Sequence, residues 1–445
     1  MKKSNIPFVG LHAHSVAGSP FDALGYPQDH MDYAYENGCE ALALTDHGNM
    51  NGMAYQVLHA KKMKAEGKNF KPIFGVEAYF IPSLEAWNQE RDKAKEDKKR
   101  ASELKDSTTM SVENEAETKR SKSILNQRSH LILLAQNQTG LNNIFAMISK
   151  SNSDEYFFRY PRVDYEVLKE HSDGVIAASA CMGGVYAANF WKFWDNENEC
   201  ITDQEGCEDA FRDTTKRMVD IFGDRWYGEL QWHTDKKQHM INKLVIQMHK
   251  EFGIKLISTA DSHYPNPETW KDRELYKRLG FLGKGKPSWL SDELPESVAE
   301  VGYELYPKNG DQMWESYKHY TELNGVEYDD DLVMDSITET HNIAFNLIED
   351  FMPDNEVRLP SFVVPDGHTA DAALETISLE SLNKLGLLTN SEYKARLEEE
   401  LSVISDRGFS KYFLTMKAIA DTATENQLAG PGRGSAAGSL VAYAL

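Results

Sequence analysis

Cysteine is scarce in this chain: four in 445 residues, Cys39, Cys181, Cys200 and Cys207. That excludes a disulfide framework, and a Cys200–Cys207 pair would need an oxidising compartment. Long apolar runs are absent too; none approaches the ~20 residues of a membrane span. The opening MKKSNIPFVG has no signal-peptide apolar region, so a cytoplasmic protein without a membrane partner is expected. No Gly-x-Ser-x-Gly elbow occurs, which argues against a serine hydrolase. Positive charge is short, with 48 Lys and Arg against 70 Asp and Glu and a net charge of −22. Proteins that coat nucleic acid neutralise phosphate with surplus Lys and Arg, so that class is disfavoured. Nucleic acid as a substrate is not excluded, because divalent cations in a site add positive charge that side chains do not count.

What is present is the composition of a globular protein, 41% hydrophobic and long enough for two or three domains. Seven apolar, β-prone runs stand at 8–11, 40–45, 72–76, 131–135, 175–179, 226–232 and 254–260. Helical patterns lie between them, as at 27–36, 53–65, 142–149, 209–221 and 236–252. This alternation predicts an α/β fold of parallel strands and crossover helices. Metal-ligand residue types follow nearly every run, and barrel sites collect at one rim, so a closed barrel is expected over an open sheet. Two insertions interrupt it: a polar, mixed-charge stretch at 84–128 and an aromatic and acidic one at 189–207.

Nine residues at or near the ends of these runs could hold metal ions: His12, His14, Asp22, His47, Glu77, His130, Cys181, Asp261 and His263. His12 and His14 are two apart, as are Asp261 and His263, and an extended chain projects such pairs to one side. Glu77 ends PIFGV, and a carboxylate can bridge two cations. Asp46 is placed to orient a ligand. His233 follows a run and is a weaker candidate for the rim, whereas His59, His239 and His249 sit in helical patterns and read as surface or packing residues. Imidazole, carboxylate and thiolate together suit Zn²⁺ or Mn²⁺ better than Mg²⁺ or Ca²⁺. Clustered cations activate water and clamp phosphoester oxygens, so metal-assisted phosphate chemistry is the leading expectation.

The segments LHAHS (11–15), Asp22, LTDHGN (44–49), GVEAY (75–79), SHLILLAQN (129–137), SACMGG (179–184) and ADSHY (260–264) resemble the PHP (polymerase and histidinol phosphatase) domain. They are most similar to its form in bacterial C-family replicative polymerases, the DNA polymerase III alpha subunits. The resemblance covers about residues 5–285 and implies a distorted (β/α)7 barrel with three divalent ions. It assigns His12, His14, Glu77 and Asp261 to one ion, Glu77, His130 and Cys181 to a second, and Asp22, His47 and His263 to a third. Within that set it gives His12, His14, Glu77 and Asp261 the catalytic role. A complete ligand set implies metal-dependent 3′–5′ exonuclease activity.

Residues 286–445 change character. A helical pattern at 332–351 is preceded by Asp329, Asp330 and Asp331, which read as N-terminal capping charge. Extended, Pro-punctuated chain follows, including RLPSFVVPDG. Next comes a helix with Leu397, Leu401 and Ile404 on one face that stops near Gly408, then another holding Phe413, Met416 and Ile419. The final GPGRGSAAGSLVAYAL offers glycine amides, Arg433 and a helix start to an anion. It resembles the palm motif of C-family polymerases, which assigns Gly432, Arg433, Gly434 and Ser435 to the triphosphate of an incoming dNTP. The expected domains are therefore 1–285, a PHP phosphoesterase, and 286–445, the start of an α+β palm.

The resemblance implies a DNA primer-template, a dNTP and other replisome subunits as partners. The family's catalytic aspartates belong to a P-D-x-D segment that these 445 residues lack. Polymerisation with Mg²⁺ is therefore expected only together with a C-terminal remainder, in the same or a separate chain. Two other readings stay open: a free-standing phosphatase for a small phosphomonoester such as histidinol phosphate, and a metal-stabilised scaffold without turnover.

Overall fold

The computed structural model describes residues 4–104, 125–281, 293–354, 356, 362–364, 367–428, 430 and 434–445. These fall into two compact units, Met1–Pro353 and Asp354–Leu445. The first unit extends past the expected 285/286 boundary. Its helices Gly310–Asn324 and Asp330–Asn342 bury Met313, Tyr317, Tyr320, Val333 and Ile337 in the same core as the strands.

Among the described residues eight strands occur: β1 Ala41–Leu44, β2 Lys71–Phe80, β3 Ser129–Ala135, β4 Val175–Ala178, β5 Trp194–Asp195, β6 Cys200–Ile201, β7 Trp226–Leu230 and β8 Lys255–Ser258. Six form one sheet in the order β1-β2-β3-β4-β7-β8, and β5 and β6 make a separate small hairpin within the 189–207 insertion. The run at 8–11 is not a strand. It pairs through single bridges instead, Gly10 with Leu42 and Ala13 with Ser262, and so joins both edges of the curled sheet. Two threonine hydroxyls explain the broken ladder, because Val9 N–H is taken by Thr340 Oγ1 and Ala13 N–H by Thr45 Oγ1, each at 3.1 Å.

The expectation of all-parallel strands fails at β3, which is antiparallel to both β2 and β4, with Phe80 opposite Ser129 and Ala135 opposite Val175. The other ladders of the six-stranded sheet are parallel. Reversal turns β3 end for end, so its first residues reach the rim where its neighbours finish. β2 also runs on past the expected end at Val76, through Glu77 to Phe80.

Period-two alternation sorts each strand into two faces. Val9, Leu11, Ala41, Ala43, Ile73, Ile132, Leu134, Ile176, Ala178, Tyr227 and Ile257 pack together inside the curl, with Ile343, Ala344 and Ile348 added from the turn after helix Asp330–Asn342. The alternate residues, including Phe74, Val76, Leu131, Leu133, Val175 and Trp226, meet the outer helices through Leu141, Ile144, Phe211, Met218, Leu244 and Met248. Each such side chain, once buried, contributes about 1.5–3 kcal/mol.

Helix ends follow local chemistry. Asn137 and Asp235 accept amides of the first turns after them, and Asp329 accepts the amides of Asp331 and Leu332, the capping role expected of that acidic run. Gly253 and Gly325 close their helices with positive φ. In the 84–128 insertion, Leu84–Leu104 is helical and buries Trp87, while 105–124 lie outside the described residues. Most of RLPSFVVPDG also lies outside them.

The second unit packs helices Ala370–Lys384, Ser391–Asp406, Ser410–Asn426 and Leu440–Ala444 around Leu374, Leu382, Leu397, Ile404, Leu414 and Val441. Leu414 is the buried contact of helix Ser410–Asn426, whereas Met416 and Ile419 are exposed. No described helix is long and apolar enough to cross a membrane.

Candidate metal centre

The strand alternation that fills the interior with aliphatic residues continues upward into polar ones. Two steps after Ile73 and Gly75 comes Glu77, Ala43 leads to Thr45 and His47, and Ile257 leads to Thr259 and Asp261. On the reversed β3, Ile132 is preceded by His130. Side chains that begin as core thus end as a ring of ligands at one rim. Ala180 (φ 61°) and Asp261 (φ 48°) hold left-handed backbone, uncommon for residues with a Cβ and frequent at functional sites. The first turns Cys181 toward the ring, and the second turns Asp261 itself.

All nine candidates meet there. Glu77, fully buried, is the hub. Its Oε2 lies 2.7 Å from His47 Nδ1, 3.2 Å from His14 Nε2 and 3.6 Å from His12 Nε2, and its Oε1 lies 2.6 Å from His130 Nδ1. Asp261 Oδ1 is 3.0 Å from His12 Nε2 and 3.2 Å from His14 Nε2. Asp22 Oδ2 is 3.1 Å from His47 Nε2 and 3.5 Å from His263 Nε2. Cys181 Sγ sits 3.6 Å from His130 Nδ1 and 4.0 Å from Glu77 Oε1. Three sets converge closely enough to share an ion: His12, His14 and Asp261; His47, Glu77 and His130; and His14, His47 and His263.

The proton positions show what this cluster suits. A carboxylate only accepts, so His12 Nδ1–H donates to Glu229 Oε1 at 2.7 Å and frees Nε2 to face the cluster. His263 Nδ1–H donates to the Asp261 carbonyl at 2.7 Å, which likewise frees its Nε2. His12 Nε2 and His14 Nε2 then face each other at 3.0 Å. Glu77 Oε2, Asp261 Oδ1 and His47 Nδ1 are buried without a hydrogen bond despite these short distances. Ligand atoms this close repel one another unless a proton or a cation lies between them, so this donor set fits a divalent metal that displaces those protons.

The electrostatics agree. Burial works to raise the Glu77 and Asp261 carboxyls, but His130, His47 and His12 around the first, and His12 and His263 around the second, hold both well below the carboxylate range. Burial works to lower His12 and His47, yet Asp261 and Glu229 raise the one and Glu77 the other, well above the usual imidazole range. Burial pushes the Cys181 thiol up, and Asp261 and Glu77 add to that. Glu77 and Asp261 are therefore charged, and His12 and His47 hold protons that a cation would displace.

Three supporting residues are absent from the sequence expectations. Glu229, two steps after Tyr227 on the interior face, takes His12, Gln231 Nε2 (2.9 Å) and Thr259 Oγ1 (2.5 Å) on one oxygen. Arg273, buried in helix Trp270–Leu279, holds Asp22 through Nη2 to Oδ1 (2.7 Å) and Nε to the carbonyl (2.8 Å). Ser19 links Asp46 (3.0 Å) to the His47 amide (3.1 Å), which gives Asp46 its orienting role through a hydroxyl rather than directly. Alternation could have found Glu229. Arg273 has no such signal, because on a helix of mixed charge it reads as surface.

His233 does not join the ring: its Nδ1 accepts the Asp235 amide and its carbonyl accepts from His239. His59 pairs with Asp32, and His249 donates to the Ile254 carbonyl. All four cysteines are free thiols.

At the far end of the chain, Gly432 and Arg433 lie outside the described residues, as does the Ser435 side chain. Gly434 has φ 79°, and Ser435 opens a short 3-10 turn to Gly438. The expected helix start at the glycines is instead at Leu440. There Ser439 accepts the Ala442 amide, and Glu400 Oε2 takes the Val441 amide (3.0 Å) and Ser439 Oγ (2.8 Å). That helix end is already capped by an anion.

Residues 10–233, half of the chain, match the family described as the PHP domain. The chain belongs to the PHP domain family. Asp261 and His263 lie beyond the matched span of the PHP domain, yet they complete its cluster. Residues 372–445 match a second family, described as the bacterial DNA polymerase III alpha NTPase domain. Curated relatives include the DNA polymerase III alpha subunits of Aquifex aeolicus (30% identical over 98% of this chain and 33% of that one) and Borreliella burgdorferi (30%, 98% and 32%). That of Helicobacter pylori strain J99 is 30% identical over 100% of this chain and 33% of its own. This PHP chain spans about a third of the length of the relatives it matches.

Proposed function

We propose that the PHP barrel is a trinuclear metal site that removes nucleotides from DNA 3′ ends, a proofreading 3′–5′ exonuclease in the N-terminal part of a DNA polymerase III alpha subunit. The observation that carries this reading is the gathering of nine ligand side chains into one ring, with Glu77 in contact with five of them. His12, His14 and Asp261 would share one ion with Glu77. His130 and Cys181 would hold a second with the other Glu77 oxygen, and Asp22, His47 and His263 a third. Imidazole and thiolate favour Zn²⁺ or Mn²⁺. Bound ions supply Lewis acidity that makes hydroxide from water and stabilises the leaving oxygen. The chain's own part is positional: Glu229 fixes the His12 tautomer, Arg273 fixes Asp22, and Asp46 with Ser19 fixes the backbone at His47.

Residues 432–435 would cradle the triphosphate of a dNTP, with Mg²⁺-dependent polymerisation requiring further polypeptide. Primer-template DNA and replisome subunits are the proposed partners. The relatives' names and the second family match support this assignment over a free-standing phosphatase.

The test is to incubate the chain with Mn²⁺ or Zn²⁺ and, in parallel, a 3′-labelled single strand, a mismatched primer-template and histidinol phosphate. Stepwise loss of 3′ nucleotides that disappears in His12→Ala is expected. Turnover of the monoester alone, or metal binding with no turnover, would refute the nuclease.

A further inference from the structure

We infer that Arg128, with Arg159 beside it, forms a phosphate-binding subsite for single-stranded DNA at the mouth of the metal centre. The inference rests on the nuclease reading above and adds how a polynucleotide is held there.

The chain carries a net charge of −22, yet Arg128, Arg159 and Arg162 gather beside the site with no salt bridge among the described residues. Arg128 lies two residues before His130. Its guanidinium stacks on Tyr160, 3.9 Å from the ring centroid, and lies 5.2 Å from that of Tyr79. The Tyr79 ring is in turn 5.5 Å from His130 and 6.2 Å from His47, nearly parallel to the latter. One aromatic ring therefore separates Arg128 from two of the proposed ligands. The segment carrying Tyr160 is fixed there because Val163 bridges Phe80 at the end of β2 and Pro161 packs on Gly48.

Arg128 is underused for a group with five N–H donors. Nη1 donates to the Asn126 carbonyl at 3.2 Å, while Nε is buried with no hydrogen-bond partner. Among the described residues it makes no salt bridge. Behind it, fully buried Arg162 spends its donors on four backbone carbonyls, those of Leu125, Gln127, Phe158 and Tyr160, and stacks on Trp87 at 4.2 Å. Burial first, and then repulsion from Arg128, bring Arg162 down to about 10. Exposed Arg159, at φ 61°, reaches Asn126 Oδ1 at 3.4 Å.

A planar guanidinium braced on aromatic faces, with free donors and like charges behind it, is suited to a phosphate oxygen pair. Because it stands one ring away from the proposed ions, it suits a neighbouring phosphate of a polynucleotide rather than the one being cleaved.

The test measures binding of a fluorescein-labelled oligothymidylate to the 445-residue chain in Ca²⁺ buffer across a salt series. Loss of one phosphate contact on a single strand lowers the slope of log K against log salt by about 0.7. Arg128→Gln is expected to show that drop with roughly tenfold weaker binding. Arg128→Lys, which keeps the charge, should retain the wild-type slope. Arg217→Gln, on an outer helix where Arg217 pairs with Asp213, controls for loss of one positive charge and should match wild type.

No binding by wild type, an unchanged slope in Arg128→Gln, or equal loss in the Lys and Gln variants would overturn the subsite. Hydrolysis in Mn²⁺ is read separately. Binding that depends on Arg128 without loss of 3′ nucleotides keeps the subsite and removes the nuclease. Hydrolysis with an unchanged slope does the reverse.

Discussion

Replacing Glu229 tests whether the ring of histidines is organised for metal. One Glu229 oxygen accepts three hydrogen bonds, from His12, Thr259 and Gln231, in a site sealed from water. Glu229→Gln keeps the shape and can still accept from His12 Nδ1–H, but it turns a charge-assisted bond into a neutral one of about half the strength. Bonds to charged groups contribute about 1.5–3 kcal/mol, so the loss is about 0.7–1.5 kcal/mol, or roughly three- to tenfold in affinity for the ion that His12 holds. Glu229→Leu leaves two buried donors, on His12 and Thr259, without an acceptor and Gln231 with only Thr259 Oγ1 at 3.4 Å, which should cost about 3 kcal/mol and weaken metal by about a hundredfold. Competition against a chromophoric chelator for Zn²⁺ or Mn²⁺ gives the affinities, and thermal melting of the chelated chain gives the stability. The reasoning is refuted if Glu229→Gln binds every ion like wild type, or if Glu229→Leu loses stability with metal affinity intact.

Three further outcomes follow from the geometry. Gly18→Ala would place a Cβ 2.5 Å from the Asp46 carboxylate, so it should destabilise the chain by about 1–3 kcal/mol and weaken metal binding, read by melting with and without chelator. Burial holds His30 and His233 down at about 4, below the ordinary imidazole value of about 6.5. Between pH 6.5 and 4 the unfolded chain takes up protons that the folded chain refuses, so stability falls as pH falls through that window, by about 3 kcal/mol per residue. His30→Gln should flatten the decline in denaturant midpoint, and an unchanged decline would show that His30 is not its source. Because His12 and His47 retain protons well above the ordinary imidazole range, metal binding should release protons and weaken as pH drops. Calorimetry in buffers of different ionisation enthalpy checks this, and binding without proton release contradicts it.

Much of the centre was legible because its ligands sit where apolar runs end. His12 with His14, and Asp261 with His263, announce themselves by spacing, and Glu77 and His130 by the alternation that fills the interior. Strand direction has no local signature: SHLILLA reads the same in either sense, so the reversal of β3 emerges only from its partners. The run at 8–11 looks like any strand, and only the Thr45 and Thr340 hydroxyls, distant in sequence, interrupt it. Arg273 and Arg128 gain their meaning from contacts with Asp22 and with Tyr79 and Tyr160 that composition cannot reveal.

The reversal of β3 also bears on how this fold can vary. Since Phe80 faces Ser129 across an antiparallel ladder, the segment between them joins adjacent strands and is not a crossover that must span the sheet. Its two feet stand side by side at the rim, close to Tyr79 and Arg128. Sequence can be added or removed between these feet without re-threading any parallel connection, and both feet stand at the entrance to the metal ring. The barrel thus has a built-in grafting point through which substrate handling can diversify while the ligands stay fixed.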